Sequence, residues 1–405
     1  MGEPKLRFKA DDGADFSGWE EKTLGELCTP LTYGMNAAAT KFDGENRYIR
    51  ITDIDDETHA LLPNDVVSPS GELDDKYLVK KGDILLARTG ASTGKSFLYH
   101  PKDGKLFYAG FLIKAHVLPS SDDYFIYSQT LTDRYWKWVK TASMRSGQPG
   151  INANEYASYS FAVPSLPEQR KIADFLSAVD AVIAAQQAEG DAWEQRKKGV
   201  MQKLFSQEVR FKADDGSDFP EWEEKKLGDV CTQLNMTIDP QANGDDEFVE
   251  YSMPAYDNQR TAKVVLGRDM SSARKIMPTP CVLINKLNVR KKRVWVIEQP
   301  ESNAVCSTEF VPLTSKTSDL RFLGYLTMTD GFTNYLLNCS SGSSNSQKRV
   351  APNDLLNYVV KFPSPPEQSK IADCLSSIDD VIAKAKAELA KWQELKKGLL
   401  QQMFV

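Results

Sequence analysis

The chain repeats itself, and this duplication constrains the fold more than any other feature of the sequence. Residues 7–29 (RFKADDGADFSGWEEKTLGELCT) recur at 210–232 (RFKADDGSDFPEWEEKKLGDVCT). Residues 163–183 (VPSLPEQRKIADFLSAVDAVI) recur at 362–382 (FPSPPEQSKIADCLSSIDDVI). A duplicated sequence is typical of a duplicated architecture. We therefore expect two related halves, each made of a leading segment, a variable region and a helical segment.

The variable regions, 30–162 and 233–361, are much less alike than the segments around them. Weak sequence similarity remains between residues 82–88 and 280–286, and between residues 148–155 and 347–354. A closely repeated scaffold around divergent inserts indicates one architecture reading two different targets. Because the first half continues directly into the second copy of the leading segment, the chain resembles a circle that has been cut open.

Apolar residues in both helical segments recur at alternating spacings of four and three, the a/d pattern of a coiled coil. The pattern predicts helices over 164–206 and 363–405, each roughly 55–60 Å long. An amphipathic helix must bury its apolar stripe, and its repeat is a ready partner, so we expect an antiparallel pair. The residues expected to pack the pair are Ile172, Leu176, Val179, Ile183, Trp193, Ile371, Leu375, Ile378, Ile382, Leu389 and Trp392.

Each predicted helix starts with a motif that fits a capping box, in which a serine and a glutamate three residues on satisfy free backbone amides. The pairs are Ser165 with Glu168 and Ser364 with Glu367. An alternative role for the helices is a plain dimerisation coiled coil that sets no distance between the halves.

The variable regions contain short β-rich runs separated by turn signals, and each has one predicted helix, near 124–139 and 320–337. The predicted fold class is α+β: two similar globular α/β domains separated by two long, antiparallel, coiled-coil-like helices in a pseudo-two-fold circular arrangement. The predicted boundaries are 1–163 for the first domain with its leading segment 1–29, 164–206 for the first helix, 207–362 for the second domain with its leading segment 207–232, and 363–405 for the second helix.

Positive charge is clustered in the variable regions, although the net charge of −6 by itself argues mildly against nucleic-acid binding. Basic and polar side chains there could pair with phosphates or base edges. The DNA-binding candidates are Arg88, Thr89, Ser92, Thr93, Lys95, Arg145, Gln148, Lys286, Arg290, Lys291, Lys292, Arg293, Gln347, Lys348 and Arg349. The alternative for any one such cluster is a solvated charged face.

Catalytic signatures are missing from the sequence. None of the six cysteines forms a Cys-x-x-Cys pair, which favours free thiols; zinc ligation by the three histidines, His59, His100 and His116, has no ligand-like spacing behind it. Residues 90–96 (GASTGKS) have too few residues between the glycines for a phosphate-binding loop. We find no Asn/Asp-Pro-Pro-aromatic motif and no nuclease or hydrolase constellation. The prediction is a chain with no catalytic residues, no metal and no cofactor of its own.

Several of these sequence motifs together resemble those of a known protein family. The PSLPEQRKIADFL and PSPPEQSKIADCL helices, KKGDILLARTGASTGK and the RFKADDG…W segment resemble the specificity subunit of type I restriction–modification enzymes. The resemblance implies two target-recognition domains, each reading half of a bipartite DNA site, with helices that set the spacer and dock modification subunits. It implies two methyltransferase subunits that bind S-adenosylmethionine and two restriction subunits, with ATP and Mg also expected in the partners.

Two further expectations complete the sequence-based interpretation. The chain has no apolar run long enough to span a bilayer and no signal-peptide core at its start, which predicts a cytoplasmic protein of a bacterium or archaeon. The competing function is an interaction scaffold, an inactive specificity homologue that binds modification subunits without reading DNA.

Overall fold

A computed structural model describes residues 4–144, 148–342 and 347–404. The chain divides into two compact units: Met1–Gln187 with Ala387–Val405 form unit 1, and Ala188–Lys386 form unit 2. The divisions fall inside the two long helices, so each unit combines a globular domain with the first part of one long helix and the last part of the other.

Unit 1 is built around a four-stranded antiparallel sheet in the order β2-β9-β6-β7. Its strands are β1 (Glu20–Thr23), β2 (Thr32–Tyr33), β3 (Ala39–Lys41), β4 (Arg47–Ile49), β5 (Val67–Pro69), β6 (Asp83–Ala87), β7 (Ser96–Leu98), β8 (Leu106–Tyr108), β9 (Leu112–His116) and β10 (Ser160–Val163). Its helices are α1 (Leu24–Leu27), α2 (Asp123–Gln129), α3 (Asp133–Ala142), α4 (Ala153–Ala157) and the first part of α5 (Leu166–Phe205). Strand β1 pairs with β10, β3 with β5, and β4 runs parallel to β8.

Unit 2 repeats this plan with an equivalent sheet in the order β12-β20-β17-β18. Its strands are β11 (Glu223–Lys226), β12 (Thr232–Gln233), β13 (Thr237–Ile238), β14 (Glu247–Tyr251), β15 (Lys263–Leu266), β16 (Arg274–Ile276), β17 (Cys281–Asn285), β18 (Val294–Ile297), β19 (Ala304–Ser307), β20 (Phe310–Thr314) and β21 (Val359–Phe362). Its helices are α6 (Leu227–Val230), α7 (Met253–Asp257), α8 (Leu320–Thr327), α9 (Asp330–Cys339), α10 (Pro352–Leu356) and the first part of α11 (Pro365–Met403). Here β13, β16, β19, β14 and β15 join into one five-stranded sheet, in which β14 runs parallel to β19.

Strand β6 lies between two apolar cores, which explains its unbroken run of buried residues. Ile84 and Leu86 face a core that includes Leu176 of α5, whereas Leu85 faces the core that contains Tyr108. Alternate side chains of a strand point to opposite faces, so a strand covered on both sides carries apolar residues on both faces, as residues 84–87 do. The equivalent strand β17 is buried along its whole length in the same way.

The prediction of one helix near 124–139 is wrong, because the structure has two, α2 and α3. Thr132 caps the second helix and also binds the end of the first: its hydroxyl accepts from the amide of Tyr135 at 3.2 Å and donates to the carbonyl of Gln129 at 2.8 Å. Threonine is a favoured N-cap residue. The same break separates α8 from α9, where Thr329 caps the second helix.

The capping-box prediction is also wrong for the second long helix, where the buried hydroxyl of Ser364 has no hydrogen-bond partner among the described residues. The glutamates of both motifs turn instead to arginines of the leading segments. Arg7 binds Glu168 through two hydrogen bonds of 3.0 and 2.9 Å, and Arg210 binds Glu367 at 3.1 and 3.0 Å. The repeated motif therefore joins the leading segment to the start of the helix.

The long helices run antiparallel within each unit. In unit 1, Lys396 of α11 contacts Asp180 of α5 at 2.6 Å, and Met403 shares a core with Leu176. In unit 2, Lys197 contacts Asp379 at 2.6 Å in the matching arrangement. The predicted fold class is confirmed: two similar domains of mixed helix and strand, each packed on long helices.

Candidate nucleic-acid interface

In unit 1, two loops that carry many of the predicted DNA-binding residues are held side by side by backbone hydrogen bonds. They are the β6–β7 loop (88–95) and the described part of the α3–α4 loop (143–144 and 148–152), which together we call the loop pair of unit 1. The amide of Ile151 donates to the carbonyl of Arg88 at 2.9 Å, and that of Gly90 donates to Pro149 at 3.0 Å. These bonds bring together two stretches that are far apart in sequence.

Unit 2 contains the same loop pair, formed by the β17–β18 loop (286–293) and the described part of the α9–α10 loop (340–342 and 347–351). The amide of Val350 donates to the carbonyl of Lys286 at 3.0 Å, and that of Asn288 donates to Lys348 at 2.9 Å. Gly90 and Asn288, at equivalent places, have φ angles of 78° and 50°. Both residue types tolerate this left-handed region, so the backbone is shared although the side chains differ.

At the base of each loop pair lies a buried cation bound to a carboxylate of the same unit. Lys95 donates to the carbonyl of Ile54 at 2.7 Å and to Asp56 at 2.6 Å. Arg293 donates to both oxygens of Asp257, at 2.7 and 2.6 Å, and this contact lowers the pKa of that carboxyl. Charge alone predicts Lys95 and Arg293 as DNA contacts; in the structure their charges anchor the loops within the unit.

The other candidates of unit 1 lie at different depths. Arg88 is half-buried, with its guanidinium over the Tyr33 ring at 4.9 Å, and its Nε has no hydrogen-bond partner in the described part of the chain. Thr93 is buried and donates to the carbonyl of Gly90 at 2.8 Å. Thr89 and Ser92 are half-buried and Gln148 is exposed. Arg145 lies outside the described residues.

In unit 2, the exposed positive charge is concentrated at Arg290 and Lys291, at the tip of the β17–β18 loop. Lys292 is bound to Asp330 at 2.5 Å, and Arg349 to Glu309 at 3.1 Å. Both contacts are partly open to solvent. The remaining candidates of this unit are Lys286 and Lys348, which are half-buried, and Gln347, which is exposed.

Three side chains of these surfaces were not predicted from the sequence. Tyr33 is 43% exposed beneath Arg88, Phe111 is 63% exposed on the turn between β8 and β9, and Glu309 occupies the equivalent turn of unit 2. Their positions depend on pairing between distant strands, so local pattern carries little signal. The one signal in the sequence is that the aromatic residue Phe111 directly follows Gly110, and glycine favours turns.

The predicted packing residues of the long helices are all buried or half-buried. Lys197 and Lys396 lie among the apolar a/d positions of the long helices, and each belongs to a polar cluster that is repeated in the two units. In unit 2, Asp379 accepts from Lys197 and from the hydroxyl of Tyr325, at 2.6 and 2.7 Å. In unit 1, Asp180 contacts Lys396 and Tyr124 in the same way, and burial together with this carboxylate raises the pKa of Tyr124.

Residues 4–144, 148–342 and 347–404 contain no grouping of side chains typical of a metal site and no helix suited to crossing a membrane. In these ranges no three His, Cys, Asp or Glu side chains are grouped as a metal site would require. No helix there is both long and apolar enough to cross a membrane. Residues 90–96 lead into strand β7, whereas a phosphate-binding loop leads into a helix.

Comparison with known proteins matches both halves to one family. The family model described as the type I restriction modification DNA specificity domain matches residues 17–191 and 220–391. The MjaVIII specificity subunit of Methanocaldococcus jannaschii is 24% identical, over 80% of this chain and 79% of its own length. The putative MjaX specificity subunit of the same organism is also 24% identical, over 97% of this chain and 94% of its own length.

Solved structures share the fold. The S subunit of a type I restriction-modification system from M. genitalium aligns with a TM-score of 0.58 and 15% identity, covering 100% of this chain and 99% of its own. A chain from a study of complex assembly in the type I R-M system aligns with a TM-score of 0.55 and 18% identity, over 95% of this chain and 96% of its own. At these identities the similarity establishes the fold alone.

Proposed function

This chain belongs to the type I restriction–modification DNA specificity family and is a specificity subunit, and we propose that each of its units reads one half of a bipartite DNA site. One observation carries the proposal: the two loop pairs have matching backbone hydrogen bonds but different side chains. A constant backbone with variable side chains suits recognition of different base sequences, because contacts to base edges determine which sequence is bound, whereas contacts to phosphates only position the protein on the DNA.

The distribution of charge supports the same proposal. The overall charge of −6 is unfavourable for binding DNA, but exposed Arg290 and Lys291 stand at the tip of a loop whose base is neutralised by Asp257. Local clusters of positive charge govern the approach of a polyanion more than the average does. In unit 1 the corresponding loop is less charged, and we propose that the exposed Gln148 of the neighbouring α3–α4 loop contributes phosphate contacts there.

We further propose that the long helices set the spacer between the half-sites and dock the partner subunits. Helices α5 and α11 have 40 and 39 residues. The partners proposed are two modification subunits, which bring S-adenosylmethionine, and two restriction subunits, with ATP and Mg in the partners. Type I specificity subunits generally contribute recognition and not catalysis, and we propose the same for this chain, acting in the cytoplasm.

Methylome sequencing of host cells with and without the gene tests the central proposal. We expect one split adenine motif to be methylated only when the gene is present. Replacing Arg290 and Lys291 by alanine should weaken methylation of that motif, whereas the Lys9→Ala variant, at an exposed lysine of the leading segment, should leave it intact. Co-purification with modification subunits without any sequence preference would favour the scaffold function instead.

The spacer proposal is tested separately. Inserting seven residues, two helical turns, into α5 should lengthen the spacer of the methylated motif while leaving both half-sites unchanged. Methylation of the original spacing by a folded insertion variant would refute a measuring role for the helix.

A further inference from the structure

We propose that Phe111 contacts the methyl group of a thymine in the half-site read by unit 1, and that its turn determines specificity in both units. The inference rests on the proposed function and names a side chain that carries part of the reading. It starts from an unusual exposure: 63% of Phe111 is open to solvent, although residues 106–109 before it and Leu112 after it are buried.

The turn that carries Phe111 is held rigidly. The amide of Leu112 donates to the carbonyl of Ala109 at 2.8 Å, which closes the turn. Arg88 holds it from the loop pair, its amide donating to the carbonyl of Phe111 at 3.1 Å and its guanidinium to Gly110 at 3.4 Å. A ring on a fixed backbone loses little conformational freedom when it binds, which favours a contact role.

The chain packs tightly behind this turn. A Cβ at Gly34 would lie 2.2 Å from the carbonyl oxygen of Ala109, so only glycine allows the approach. The next residue back, Tyr33, is 43% exposed and lies under the Arg88 guanidinium. The turn of Phe111 is therefore continuous with the loop pair, through Arg88.

Unit 2 presents a different side chain from the same turn. Glu309 is at the equivalent place, because Lys286 donates to its carbonyl at 2.9 Å as Arg88 does to Phe111. The carboxylate of Glu309 binds Arg349 at 3.1 Å, so a charged pair replaces the ring. The loop backbone repeats and the tip changes, as expected for a position that distinguishes one base sequence from another.

The chemistry of the ring selects the base. Among the bases in the major groove, thymine alone offers a methyl group, and phenylalanine is one of the side chains that contact it. Glutamate and arginine instead suit the amino group of cytosine and the acceptors of guanine. The neighbouring Arg88 and Gln148 are polar groups suited to hydrogen bonds with base edges, which favours groove contact over insertion between bases.

Deoxyuridine substitution tests the contact by removing one methyl group and nothing else. The full chain is purified with its modification subunits, and binding is measured to duplexes of the methylated motif in which each thymine is replaced in turn. We expect one thymine, in one half-site, whose replacement weakens wild-type binding by about fourfold, the effect of one buried methyl group. The Phe111→Ala complex should bind the thymine duplex more weakly and show no further loss with uracil there.

Matched variants separate the contact from general damage. Phe42→Ala removes another partly exposed phenylalanine of unit 1 and should retain the full response to uracil. Phe111→Leu should recover most of the response, and both Phe111 variants should keep the wild-type melting temperature.

Three outcomes would overturn the inference. The first is a Phe111→Ala complex that still responds to the methyl group. The second is wild-type binding that ignores every thymine methyl while Phe111→Ala weakens binding, which would indicate a ring inserted between bases. The third is wild-type binding with no preference for the motif over a scrambled duplex. That result would refute the proposed function itself, and the wild-type complex alone is enough to distinguish it from the other two.

Discussion

Removing Arg7 should destabilise unit 1 more than removing Arg210 destabilises unit 2, although the two arginines occupy equivalent places. Each binds a glutamate whose side chain is 0% exposed. Removing one partner of a buried ion pair costs about 3–5 kcal/mol, because the remaining charge is left without compensation. That value is our expectation for Arg7→Ala.

Unit 2 has a hydrogen bond to its buried glutamate that unit 1 lacks. The indole nitrogen of Trp222 donates to Glu367 at 3.1 Å, whereas that of Trp19 in unit 1 makes no hydrogen bond with any described residue. A hydrogen bond to a charged group contributes about 1.5–3 kcal/mol, and this one survives in the Arg210→Ala variant. We therefore expect that variant to lose about 1–3 kcal/mol, which leaves a difference of about 2 kcal/mol between the units.

Hydrogen exchange can report the two units separately. Amides of the buried strands, 83–87 in unit 1 and 281–285 in unit 2, exchange through large openings whose free energy reflects the stability of their own unit. A difference of about 2 kcal/mol corresponds to a roughly thirtyfold difference in exchange rate. Adding Glu168→Gln to Arg7→Ala removes the buried charge and should restore about half of the lost protection.

Equal losses of protection in the two single variants would refute this reasoning. So would a double variant as unstable as Arg7→Ala alone, since the cost would then come from lost packing of the arginine side chain and not from an uncompensated carboxylate.

Three further predictions concern pH, salt and packing. Burial lowers the pKa of His59 to about 4, below its ordinary 6.5, so the stability contributed by the neutral ring is fully present above pH 6.5 and is lost as the pH falls towards 4. In chemical denaturation we expect unit 1 to lose about 3 kcal/mol over that range, and a His59→Gln variant to lack this pH dependence. Lys291→Ala should reduce the magnitude of the slope of log binding constant against log salt concentration by about 1, whereas Lys95→Met should leave that slope unchanged and lower the stability of unit 1. Filter binding at several salt concentrations measures the slope, and thermal denaturation measures the stability. Ile382→Asp places an unpaired charge at a position that is 8% exposed and should lower the free energy of unfolding by about 3–5 kcal/mol. A melting curve identical to that of the wild type would contradict the packing assigned to Ile382.

The arrangement of charge on the loops shows where sequence reasoning fails. Lys95, Lys292 and Arg293 look alike in the sequence, as members of basic or glycine-rich loops. Their roles are set by Asp56, Asp330 and Asp257, each more than thirty positions away along the chain. Composition shows which charges exist, but only the folded chain shows which of them are already neutralised.

The sequence by itself determined the duplication, the two long helices and the family, because these depend on periodicity and on motifs that are local or repeated in identical order. Helix bounds of Leu166–Phe205 and Pro365–Met403 lie within two residues of the predicted 164–206 and 363–405. Tertiary structure decided the rest: the pairing of residues 88–95 with 148–152, and the exposure of Phe111. These contacts join segments far apart in sequence, and strand pairing at that distance is a property of the whole unit and not of any short stretch within it.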